Sequence, residues 1–148
     1  MKKLIYLLPL YCLTQCALAQ VSEKEIIEYI KLTPASRLDS VLPGGRFANW
    51  LEGILDKSAD IQWELNDCGE QTGEPAIDAL RDMPMCVGVY ANLADHRELG
   101  IMISAGTFKK GLMPDPAVSD IYIKTGKEFQ FLRRLSELEK ALRHPPVK

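Results

Sequence analysis

The sequence predicts an α+β fold, with N-terminal helices and a C-terminal helix packed on a four-stranded antiparallel sheet. Two observations carry this. Apolar residues recur at helical spacing up to Leu55, alternate with period two from Ile61 to Ile123, and return to helical spacing near the C-terminus. Polar segments separate the alternating runs, so the order reads as helices, an antiparallel meander, then a helix. A chain of 148 residues with 47% apolar content suits one globular domain.

The first helix is expected from Ser22 to Leu32. Ser22-Glu23-Lys24-Glu25 has the S-x-x-E spacing of a capping box, and Ile26, Ile27 and Ile30 follow as an apolar stripe. Thr33 is placed to cap a short second helix with Pro34 at its first position, burying Leu38, Val41 and Leu42. Pro43-Gly44-Gly45 breaks that helix. Phe47, Trp50, Leu51, Ile54 and Leu55 then give a third helix a full amphipathic face.

Ile61, Trp63 and Leu65 alternate with Gln62, Glu64 and Asn66, the pattern of a half-buried strand. A polar segment runs from Asn66 to Pro84. Val87, Val89, Ala91 and Leu93 mark a second strand, Ala94 to Arg97 a hairpin connection, and Leu99, Ile101, Ile103 and Ala105 a third strand. The other face of the third strand, Gly100, Met102, Ser104 and Gly106, is small or apolar, which places it centrally. Residues 107–119 read as a loop, and Ile121 and Ile123 as a fourth strand. Thr125-Gly126-Lys127-Glu128 repeats the capping-box spacing. It predicts a closing helix that buries Phe131, Leu132, Leu135, Leu138 and Leu142, with Arg133, Arg134, Lys140 and Arg143 on its outer face. Phe47, Trp50 and Phe131 are expected to meet Trp63 and the strand isoleucines.

Residues 1–19 read as a cleaved secretory signal peptide and residues 20–148 as the domain. Lys2 and Lys3 precede an apolar stretch from Leu4 to Leu13, and Ala17-Leu18-Ala19 is an A-x-A cleavage site. The expected location is therefore the periplasm or the extracellular medium. Cys16 offers a lipid-anchoring alternative, opposed by Gln15 where a small residue is required. Loss of Lys2 and Lys3 takes the net charge from −2 to −4 and leaves Cys68 and Cys86. Two cysteines in an exported chain are expected to form one disulfide.

This charge balance excludes a strongly basic nucleic-acid module. No later apolar stretch reaches the roughly 20 residues of a transmembrane helix. Two segments stand out as binding loops: Asp67, Glu70 and Glu74 in the acidic stretch, and Phe108, Lys109 and Lys110 in the third loop. Glu64, Asp78 and Asp82 add carboxylates to the first, yet the D-x-[DN]-x-[DN]-G calcium loop is absent. Gly106 to Gly111 lacks the Lys-Ser/Thr pair of a phosphate loop. His96 and His144 belong to no metal spacing, and no serine has a G-x-S-x-G setting. No cofactor or metal is therefore expected, and no catalytic residue is assigned. The sequence favours a non-enzymatic module that binds another envelope or secreted protein. The alternative is a small metal-dependent or carboxylate-using hydrolase acting in the envelope.

Overall fold

The computed structural model of the chain describes residues 22–68, 85–106 and 115–144. The expected α+β architecture is present, with a five-stranded antiparallel meander in place of four strands. Helix α1 spans Glu23–Leu32 behind a complete capping box, in which the Ser22 hydroxyl accepts from the Glu25 N–H and the Glu25 carboxylate accepts from the Ser22 N–H. Thr33 closes this helix rather than opening the next, because its hydroxyl donates to the Tyr29 carbonyl at 2.8 Å. Helix α2 is only Ala35–Leu38, with Pro34 at its N-cap. Val41 lies beyond it and is exposed, contrary to the helical reading, because the helical turn has already ended at Asp39. Helix α3 spans Phe47–Ile54 and buries Phe47 and Leu51 completely.

The strands are β1 (Ile61–Asp67), β2 (Met85–Asn92), β3 (Glu98–Gly106), β4 (Ala117–Thr125) and β5 (Glu128–Leu132), paired in sequence order. β3 is central, as its two apolar faces predict. β4 starts at Ala117, inside the span read as loop. The largest correction concerns residues 125–132. Thr125 pairs with Glu128 across a two-residue turn, and Gly126 takes φ +62°. Positive φ at the first turn residue alone is the type II′ hairpin pattern. The turn thus starts β5, not a helix, and puts Phe131 and Leu132 in a strand. Arg133 and Arg134 follow that strand, and the closing helix shortens to a 3₁₀ turn at Leu135–Glu137 leading into α4 (Leu138–Arg143).

One face of the sheet is covered. Val87, Val89, Leu99, Ile101, Ile103, Ile121 and Ile123 pack there with Ile26, Ile30, Phe47, Leu51, Leu135 and Leu138 from the helical layer. Phe47 stacks on Trp50 at 6.0 Å and meets Trp63 edge-on at 5.9 Å, as expected. Phe131 does not join them, since the two-residue turn sends it to the opposite face.

Two polar contacts tie residues 136–142 to the rest of the domain. Asp39 accepts from the Ser136 N–H at 2.9 Å and from the Val41 N–H at 3.1 Å. Burial works against its charge, but these bonds, the Ser136 hydroxyl and Arg134 outweigh it and hold the carboxyl below its usual range. Arg97 is 6% exposed. It donates to the carbonyls of Ala141 at 3.3 Å and Leu142 at 2.9 Å at the end of α4, and to Asp95 at 2.5 Å. A cation there satisfies the orphan carbonyls of the helix end and complements its dipole.

Candidate functional site

The expected disulfide is present: Cys68 and Cys86 are joined, with Cα atoms 5.7 Å apart, linking the end of β1 to the start of β2. Asp67 is the last residue of β1, in register with Met85. Glu70, Glu74, Phe108, Lys109 and Lys110 lie outside the described residues. The strand ends that lead into the two expected loops, Asp67 and Gly106, both pair with Met85 and so lie at one end of the sheet. Among the described residues, no three His, Cys, Asp or Glu side chains converge as metal ligands. No helix among them is long and apolar enough to cross a membrane.

The second face of the sheet carries the features that call for explanation. Strand register aligns Gln62, Tyr90, Gly100, Tyr122 and Phe131 in one row across all five strands. The neighbouring row contains Asn92, Glu98, Lys124 and Phe129. Phe129 is 51% and Phe131 68% exposed, although a period-two strand could have placed polar residues at both. Their rings stack at 6.0 Å with planes 15° apart. Both meet Tyr122 at a steep angle, at 5.4 Å and 6.3 Å.

Two glycines seat the tyrosines. A Cβ on Gly100 would lie 2.1 Å from Tyr122 Cζ, and one on Gly88 would lie 2.6 Å from the Tyr90 hydroxyl. Each ring therefore occupies the space that a side chain on the glycine would fill, an aromatic cover over backbone. Asn66 donates to the Tyr90 hydroxyl at 3.3 Å and steadies that ring.

Polar residues border the aromatics. A shallow cavity of about 220 Å³ lies between Tyr90 and Tyr122, lined also by Asp60, Gln62, Asn92 and Glu98. Lys124 bridges to Glu98 at 3.0 Å and stands 5.8 Å from the centre of the Phe129 ring. Burial, then Tyr90 and Glu98, push the Tyr122 phenol up against the opposing influence of Lys124. Its hydroxyl is a neutral donor and acceptor at neutral pH, not a phenolate nucleophile.

Sequence reasoning did not find this surface, although a signal was present. Tyr90 and Tyr122 fall in the polar phase of their strands, and Phe129-Gln130-Phe131 alternates with period two directly after a Gly-containing dipeptide turn. Comparison with known proteins finds no matching family model, curated protein or solved structure.

Proposed function

We propose that the chain is an exported, non-enzymatic module that binds another macromolecule through the second face of its sheet. The observation that carries this reading is the exposed pair Phe129 and Phe131, packed against the half-buried Tyr122. Exposed aromatics that contact one another beside polar residues have the composition of an interaction surface, a rigid apolar centre with a hydrogen-bonding border. Aromatic side chains also supply large contact area at small conformational cost. Export is supported by the leader pattern of residues 1–19 and is compatible with the Cys68–Cys86 disulfide. The binding surface in this reading moves from the two sequence-predicted loops to the sheet.

Quantitative capture from the extracellular and envelope fractions of the native source tests the proposal. The wild-type chain is compared with a Phe129→Ser/Phe131→Ser variant of matched stability. A specific macromolecule recovered by the first and lost by the second supports the reading. Equal recovery by both, or recovery of nothing, contradicts it.

A further inference from the structure

We propose that β5 accepts an added strand from another polypeptide, an extended segment of the pattern acid-x-apolar-x-apolar-x-acid. The proposal rests on the reading of the sheet face as a contact surface and specifies its edge and partner. β5 ends the sheet order, so one side of it pairs with β4 and the other pairs with nothing among the described residues. Residues flanking a two-residue hairpin turn exchange both backbone hydrogen bonds, and the next pair exchanges none. Thr125 and Glu128 flank the turn, so Phe129 and Phe131 fall at non-hydrogen-bonded positions. Their N–H and C=O groups point away from β4, toward the open edge.

Two devices that blunt an edge, a proline and a bulge, are missing from β5. Residues 128–132 contain no proline, and their pairing with β4 runs without a bulge. The opposite edge, β1, differs: it contacts α1, whose Lys31 stands 5.3 Å from the centre of the Trp63 ring. The next outward N–H after β5, that of Arg133, already donates to Glu137 at 3.1 Å. The open edge is thus confined to the two phenylalanines, whose rings would lie beside alternate side chains of the incoming strand.

Charge selects the occupant. Lys127 and Arg133 are exposed and lie two positions before Phe129 and two after Phe131. An incoming strand with apolar residues opposite the phenylalanines meets these cations at both ends, and carboxylates there complete the match. A second copy fits worse. Pairing Phe129 with Phe131 of the copy, the register that engages both phenylalanines of each chain, sets Lys127 against Arg133 twice.

The test uses a dye-labelled cyclic hairpin peptide presenting Thr-Glu-Thr-Val-Thr-Val-Thr-Glu-Thr, titrated against the full domain by anisotropy at low salt. A control peptide carries lysine for glutamate. The proposal expects saturable binding of the acidic peptide and weakening by about fivefold or more with Arg133→Glu. Phe131→Thr keeps the outward N–H, whereas Phe131→Pro removes it without touching the β4 ladder. The proline variant is expected to bind about tenfold more weakly than the threonine variant, the scale of lost edge hydrogen bonds. Equal affinities of these two variants overturn strand addition yet leave the face reading standing. Absence of saturable binding up to about 1 mM, equal binding of the lysine peptide, or concentration-dependent self-association in place of peptide binding also overturns it.

Discussion

Tyr122 lies over Gly100, its partner on the neighbouring strand, so closely that a Cβ on the glycine would sit 2.1 Å from the tyrosine Cζ. Gly100→Ala must therefore displace the ring. It is expected to cost about 1–3 kcal/mol by overpacking. In a Tyr122→Ala background the same change should become neutral or stabilising, since alanine is otherwise the better strand residue. Denaturant midpoints for the four proteins of this cycle check the prediction.

The exposed phenylalanines should contribute little to stability. Phe131 is 68% exposed, so Phe131→Ser is expected to change unfolding free energy by no more than about 0.5 kcal/mol. Phe47 is fully buried, and Phe47→Ala is expected to cost about 3–5 kcal/mol. Chemical denaturation of the two variants separates a ring held for contact from a ring held for packing.

Removal of Arg97 exposes the opposite dependence. Its guanidinium joins the β2–β3 hairpin to the last turn of α4 through the Ala141 and Leu142 carbonyls. Arg97→Ala leaves both carbonyls without this donor and is expected to cost about 2–4 kcal/mol. Amide exchange should rise first in residues 138–143, whose helix is too short to persist alone. Uniform exchange across the domain would contradict the link.

Acid should weaken the domain partly through Asp39. Its folded-state pKa is lowered from 3.8, so its contribution is complete above that value. As pH falls below 3.8 the unfolded state takes up the proton first, and the contribution disappears through the lower folded value. Asp39→Asn is therefore expected to flatten the acid limb of stability against pH. Unfolding midpoints from neutral to strongly acidic pH measure the slope.

Cys68 and Cys86 enclose a sequence separation of 18 residues, and the disulfide should stabilise by about 3 kcal/mol through loop closure. Non-reducing mass measurement should give two hydrogens fewer than the reduced form, and a Cys68→Ser/Cys86→Ser variant should unfold at lower denaturant.

The same four-residue spacing shows what sequence could and could not reveal. At Ser22 it caps a helix because Ile26 and Ile30 follow one turn apart and bury one stripe. At Thr125 it begins a hairpin because Gly126 adopts a left-handed backbone that the first turn of a helix does not use. Leu132, Leu135 and Leu138 sit at helical spacing and masked the switch, while Phe129 and Phe131 already alternated. Helices α1 and α3, the first strands and the disulfide were legible because each rests on local periodicity or a cysteine count, whereas α2 was read too long because its turn ends at Asp39. The aromatic face was not, because Tyr122 meets Gly100 only through the register of two strands. Arg97, in a polar turn by sequence, is buried because the distant end of α4 supplies its acceptors.

The sheet face around Phe131 is the surface proposed to contact a macromolecule. Photo-crosslinking from benzoylphenylalanine at position 131, with the same label at the exposed Glu52 position on α3 as reference, tests it most directly. In envelope and extracellular fractions of the native source, the label at 131 should yield one adduct of defined mass that the label at 52 does not. No adduct from position 131, or equal yields from both positions, would show that this face is not the contact surface.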